Sequence, residues 1–257
     1  MPPLVPIRKL TMPKEYQEIG KVSHLFRYPV KSMQGEEAAN TKVGWHGLQG
    51  DRRFAFLRVG NHTGLPWLSV RQFPKLLLYS PRIEDPTEPE DSPIIVKTFD
   101  GTELSITSDQ LRSDLEKTSN CNLSLIRLWR GAFDSMSISL ISDSSINSIA
   151  NNLGRSLEIE RFRPNIVMDL LGEKAFPEDK LLGELLVFGE RDNSARVRLF
   201  RKDPRCMVIN LDPRTGVQDP SILREVVKNR KNFLGAYGGT ERPGTIQAGD
   251  SIFLVKK

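Results

Sequence analysis

Apolar residues in this chain come in short runs, each closed by proline, glycine or an aspartate-bearing turn. Residues 21–33, KVSHLFRYPVKSM, alternate as a half-buried strand does, and Pro29 is expected to end it because proline cannot donate to a sheet ladder. Phe54, Phe56 and Leu57 open another strand, and residues 94–99 and 103–107 flank Asp100-Gly101 as a hairpin. Further strands are expected at 123–129, 137–142, 161–170, 181–188, 195–200 and 207–211, with a last strand or hairpin closing the chain. Helical signals are few. They lie at 108–118, at 142–154 between a serine start and a glycine stop, and after Asp219-Pro220, with proline at the first position and Gly235 near the end. Many short strands with so few helices predict a β-rich α+β, barrel-like fold.

Composition narrows the class. A chain of 257 residues can form one large domain or two intertwined lobes. Hydrophobic residues make up 38% and charged residues 27%, and no run approaches the ~20 apolar residues that span a bilayer, so no membrane partner is expected. Three prolines before position 7 make the first twenty residues a loose arm rather than a secretory signal. Two cysteines, Cys121 and Cys206, argue against a disulfide scaffold and for a reducing, cytoplasmic setting. His24, His46 and His62 lack zinc-site spacing. The net charge of +5 suits an anionic ligand. Nucleic acid is not expected, because basic residues are interrupted by acids, as in EDPTEPED at 84–91, and no recognition motif is present.

Candidate chemistry centres on KDPRCMVINLDPRTG at 202–216. Cys206 is expected where a loop meets the apolar run 207–211, beside Arg205, whose guanidinium favours the thiolate that binds soft metals. A small buried, inert thiol fits the same residues. Elsewhere, Lys31 and Ser32 leave a strand end where they can present donors to an anion, and Asp51 and Arg52 repeat that arrangement after Gly44, Gly47 and Gly50. Ser142, Asp143, Ser144 and Ser145 occupy a helix N-terminus, a place for an anion or for ordinary capping. Arg161, Arg163 and Asn165 surround Pro164, as on a sheet edge or a cleft wall.

Taken in order, YPVKS at 28–32, GDRRF at 50–54, SVRQFPKL at 69–76, SLIS at 139–142, FRPNIV at 162–167, PRCMVINLDPRTG at 204–216 and RPGTIQAGD at 242–250 resemble the molybdenum cofactor sulfurase C-terminal (MOSC) family with its N-terminal β-barrel partner. The resemblance implies an arm over 1–20, an N-terminal β-barrel-like domain over 21–135 and a MOSC β-barrel domain over 136–257, as two intertwined lobes. It implies a molybdenum cofactor held between them, with Cys206 as the protein thiolate on molybdenum. By the same carry-over Lys31, Ser32, Arg52, Arg163, Asn165, Arg205 and Tyr237 contact the pterin or its phosphate, and Ser142 to Ser145 contribute through the helix N-terminus. The family is also associated with pyridoxal phosphate binding.

Relatives of this type reduce N-hydroxylated compounds such as amidoximes and hydroxylamines, and Asp212 is the candidate acid for the departing oxygen. With no cysteine-rich iron–sulfur domain in the chain, electrons are expected from a separate flavin reductase or cytochrome b-type haem protein. A cofactor or sulfur carrier without its own turnover is the alternative. An RNA-binding barrel is disfavoured, because paired surface aromatics for stacking are missing from the sequence pattern.

Overall fold

The computed structural model describes residues 15–172 and 175–256. The long first strand organises the fold. Tyr16–Arg27 pairs antiparallel with Ser251–Val255 on one edge and with Ile166–Leu170 on the other. Between those neighbours the sheet continues through Ile138–Ser142, Phe233–Arg242, Arg196–Pro204 and Leu185–Phe188, so seven strands close into a barrel and only Glu36–Glu37 hangs off it. The sole parallel pair in that ring is Ile138–Ser142 with Ile166–Leu170, joined by a crossover through helix α2, Asp143–Leu153. Bulges in the first strand between Glu18 and Gly20 and between Val22 and His24 bend it through the closure. A Cβ on Gly20 would fall on the Asp169 carbonyl, so only glycine allows this approach.

The barrel interior is filled by fully buried Leu25, Ile138, Leu140, Ile166, Leu186, Phe188, Val197, Leu199 and Ile252. A second lobe carries Phe54–Arg58 paired with Leu123–Arg127, and the meander Ser80–Ile83, Ile94–Lys97 and Glu103–Ser105. Helix α1, Asp109–Ser119, buries Leu111 and Leu115 in that lobe's core and is capped by Ser108. A third cluster joins α2 and helix α3, Ser221–Arg230, to Phe26, Phe162 and Ile209.

The two lobes exchange elements. Tyr16–Arg27 completes the barrel built from the C-terminal half, Gly244–Gln247 pairs back onto Asn40–Gly44, and Leu211 sits in the second lobe's core. The expected arm over 1–20 gives way to strand at Tyr16, and its earlier part lies outside the described residues.

Several expected strands differ. The run 207–211 is a 3-10 turn, Met207–Asn210, because Asn210 is needed as an acceptor for the Leu223 N–H at the start of α3 and a strand would carry it away. Such a short apolar run fits a buried turn as well as a strand. Residues 161–170 yield a strand only from Ile166, since Pro164 breaks the ladder and Ile159–Phe162 is a 3-10 turn. Leu181–Phe188 shortens to Leu185–Phe188 behind the 3-10 turn Pro177–Leu181, whereas the strand expected at 195–200 runs on through Pro204. Helix α3 stops at Arg230, with Lys231 left-handed, and Gly235 belongs to the next strand.

Truncating the barrel core at Leu140, which is fully buried, is expected to cost about 2–5 kcal/mol by lost transfer energy and cavity formation. Urea unfolding of Leu140→Ala measures this, and a midpoint equal to the parent's would refute the assigned core.

Candidate functional site

Where the first strand, the Arg196–Pro204 strand and the second lobe meet, a cleft is lined by Lys31, Ser32, Arg52, Phe133, Asp134, Ser139, Arg161, Phe162, Arg163, Asp203, Arg205, Cys206 and Tyr237, among others. Each wall is delivered by a chain break in regular structure. Lys31 and Ser32 follow the end of the first strand, with Lys31 N–H bonded to Phe54 O. Arg205 and Cys206 follow the last pair of the Arg196–Pro204 strand, Pro204 with Phe233. Cys206 is extended, with φ −126° and ψ 179°, and its side chain is exposed. The thiol therefore reaches solvent at the cleft instead of packing as an inert hydrophobe.

Backbone strain collects here. Ser32, Arg52 and Arg163 have φ of 67°, 48° and 49°, left-handed values that side chains adopt at a cost of about 1–3 kcal/mol each and that cluster at functional sites. Gly235, at φ 79°, is demanded by the same site, because a Cβ there would lie 2.6 Å from Leu140 O and 2.9 Å from an Arg205 terminal nitrogen.

The charges do not cancel. Arg52 is fixed by Asp51 at 2.5 Å, by Asp134 at 2.9 Å and by the Asn165 side chain at 3.1 Å. Lys31 Nζ, however, donates to the Phe133 carbonyl at 2.7 Å, and Arg163 donates to the Met33 carbonyl at 2.6 Å, dipoles that leave the net charge in place. The guanidinium carbons of Arg52 and Arg163 lie 4.7 and 4.3 Å from the centre of the buried Tyr28 ring, which holds both cations by their attraction to its π-face. Arg205 donates to Leu234 O and Phe162 O, both at 2.7 Å, and pairs with Asp203 at 3.0 Å, yet its second terminal nitrogen is buried without a partner. Burial drives the Lys31 ammonium below its ordinary pKa, with Asp134 opposing. The arrangement attracts an anion.

Not every expected residue reaches this cleft. Asn165 is fully buried behind it, where its side-chain oxygen accepts from Arg52 and from the Ser139 N–H. Ser142 to Ser145 do not line it: the Ser142 and Ser145 hydroxyls donate to the buried Glu178 carboxylate at 2.7 and 2.8 Å, and Asp143 accepts from Ser23. The protein's own carboxylate thus occupies the helix N-terminus that composition offered to a ligand. Asp212 lies beyond the turn Met207–Asn210, accepting from Arg161 at 2.9 Å and from the Arg214 and Thr215 N–H groups at 2.9 and 2.8 Å. Partial burial raises its pKa, but these donors outweigh it and hold the carboxyl below the usual range, which makes Asp212 a poor acid. Asp134, Ser139 and Asp203 also line the cleft, none of them marked as a site residue by its local sequence. The sole signal for Asp203 was its place three residues ahead of the cysteine.

A two-lobed β-barrel protein with an anion-attracting cleft and one solvent-facing thiol is the class that this geometry defines. Family models agree in detail, the MOSC N-terminal beta barrel domain matching residues 19–133 and the MOSC domain residues 130–253. The chain belongs to the MOSC family. It is 24% identical to mitochondrial amidoxime-reducing component 1 of Mus musculus over 295 residues, covering 94% of this chain and 84% of that protein. Mitochondrial amidoxime reducing component 2 of Rattus norvegicus is 25% identical, with 94% and 85% covered. Among solved structures, the YUAD protein from Bacillus subtilis shares the fold with a TM-score of 0.50 at 16% identity, covering 94% of this chain and 99% of that one.

Asp134 gives a pH test. Burial raises its pKa, but Arg52, the Ser135 N–H and Lys31 together hold it below the ordinary value. A carboxyl depressed on folding adds stability above its unfolded pKa and loses it as pH falls through the folded one. The stability gap between parent and Asp134→Asn, from urea unfolding, is expected to be full above the ordinary carboxylate range and to shrink as pH falls through the depressed folded pKa. A gap independent of pH would contradict the assigned pairing.

Proposed function

We propose that the cleft holds a molybdenum cofactor and that the protein reduces N-hydroxylated compounds, amidoximes and hydroxylamines, with electrons from a separate flavin or haem protein. The exposed Cys206 thiol inside a cationic cleft carries this reading. Among the described residues no group of three or more His, Cys, Asp or Glu could hold a metal ion unaided. A single thiol can still complete the shell of a metal that arrives with other ligands, and a soft metal on an anionic organic scaffold suits both the sulfur and the surrounding cations. The buried, unpartnered Arg205 nitrogen and the Lys31 and Arg163 heads, whose hydrogen bonds go to carbonyls, are the donors such a scaffold would satisfy. When bound, the group supplies two-electron chemistry and an acceptor for oxygen.

The chain's own residues do the rest. Cys206 donates its sulfur from an extended backbone fixed on both sides, by the Pro204–Phe233 pair and by the turn Met207–Asn210. Asn165 and Asp51 orient Arg52, and the Tyr28 ring backs Arg52 and Arg163, so the positive wall is set before a ligand enters. Pyridoxal phosphate fits less well, because the exposed Cys206 thiol would have no part in holding it. No described helix is long and apolar enough to cross a membrane. The relatives' names supply the substrate class.

Protein from a host that makes the cofactor is expected to carry near-stoichiometric molybdenum and to turn over an aryl amidoxime with a reduced viologen dye. Cys206→Ala should abolish that turnover, while Cys121→Ala, half-buried and outside the cleft, should leave it unchanged. Molybdenum without turnover would favour a cofactor carrier, and no molybdenum would overturn the reading.

A further inference from the structure

The proposed reduction, on which this inference rests, has a proton requirement. An N–O bond breaks, and the oxygen leaves as water after the substrate takes up two electrons from the donor and two protons. Asp212 cannot serve, being tied outside the cleft by Arg161 and two backbone N–H groups. Asp134 is held ionised beside Arg52 and Lys31.

One other carboxyl lines the cleft. Asp203 lies at the end of the Arg196–Pro204 strand, three residues before Cys206, with its side chain only 3% exposed. Its Oδ2 accepts from Ser139 Oγ at 2.9 Å and faces the Arg205 guanidinium at 3.0 Å, and the Tyr237 hydroxyl donates to the same carboxyl. Tyr237 and Ser139 stand opposite each other on paired strands, and both line the cleft. The carboxyl is thus gripped on three sides and presented on the wall that carries the thiol.

We infer that Asp203 protonates the oxygen that leaves the substrate nitrogen, with Ser139 and Tyr237 holding its carboxyl against the cleft. In balance, the Asp203 O–H bond breaks as an O–H bond forms on the departing oxygen, and the carboxylate is reprotonated from solvent. The second proton of the reduction reaches the product nitrogen or oxygen from water. Burial supports the role by raising the Asp203 pKa, against Arg205 and the Ser139 and Tyr237 hydrogen bonds, with the nearby Asp134 charge adding to the rise. A carboxyl whose pKa is raised suits such a step better than one held ionised.

The test compares parent, Asp203→Asn and Asp203→Glu, each purified with cofactor and assayed per bound molybdenum with an aryl amidoxime and reduced viologen. The parent's kcat should fall as pH rises through the Asp203 pKa. Asp203→Asn should lose about a hundredfold in kcat and lose that limb of the profile. Infrared spectra of substrate-free protein should show a protonated carboxyl band in the parent that titrates above the ordinary carboxyl range and is missing from Asp203→Asn. An Asn variant with the parent's pH profile and the same infrared band overturns the assignment. Should Asp203→Asn fail to retain molybdenum, Asp203→Glu decides, since a displaced pH profile supports the role and an unchanged one refutes it. A parent that binds molybdenum but never reduces the amidoxime defeats the proposed function instead, whatever the infrared titration shows.

Discussion

Positive charge that the protein does not neutralise is the constraint from which the rest of this structure follows. Burying a guanidinium or ammonium group costs several kcal/mol unless polar partners compensate, and a carboxylate is the usual one. Lys31 and Arg163 instead receive carbonyl oxygens, Arg163 adds the face of Tyr28, and Arg205 keeps a buried nitrogen with no partner at all. A cleft so arranged is destabilised when empty and repaid by an anion. It is preorganised, because the positions of these groups are set by backbone that the fold cannot easily move.

Barrel closure supplies that rigidity. With Tyr16–Arg27 bonded on both edges, the turn carrying Lys31 and Ser32 cannot drift from the loop carrying Arg163, which precedes its neighbour Ile166–Leu170. Asn165, at the start of that neighbour, bonds Phe26 O, Arg52 and the Ser139 N–H together, so one buried amide ties the first strand, the second lobe and the barrel at a single point. The thiol is positioned from the other side. The Arg196–Pro204 strand runs three residues past Arg201 before releasing Arg205 and Cys206, and Gly235 on the facing strand admits the Arg205 guanidinium where any side chain would intrude.

Much of this was legible in the sequence, for physical reasons that also explain the failures. Elements closed by turn or cap residues announce themselves, as the hairpin around Asp100-Gly101 and helix α2 between Ser142 and Gly154 did. The short apolar run MVIN did not, since burial alone cannot tell a strand from a tight turn, and Asn210 bonds a helix that begins later in the chain. The cationic residues and Cys206 were found by type, and the fold brought them together. Of the two readings open for Ser142 to Ser145, capping is the one seen, Ser142 accepting from the Ser145 N–H, and no local pattern reveals that Glu178, far along the chain, will return to satisfy that helix. Asp203 carries no local signal beyond its place three residues before Cys206, because Ser139, which meets its carboxyl, comes from a strand far earlier in the chain.

Sulfur from Cys206 must reach the metal if the cleft holds the cofactor as proposed, and X-ray absorption at the molybdenum edge reads that contact directly. In protein loaded with cofactor, Cys206→Ser should replace one sulfur neighbour of molybdenum by an oxygen or leave the position to solvent, with the remaining shell intact. Spectra of parent and variant that superimpose, at equal molybdenum content, would show that the thiol never touches the metal and that the cleft has been misread.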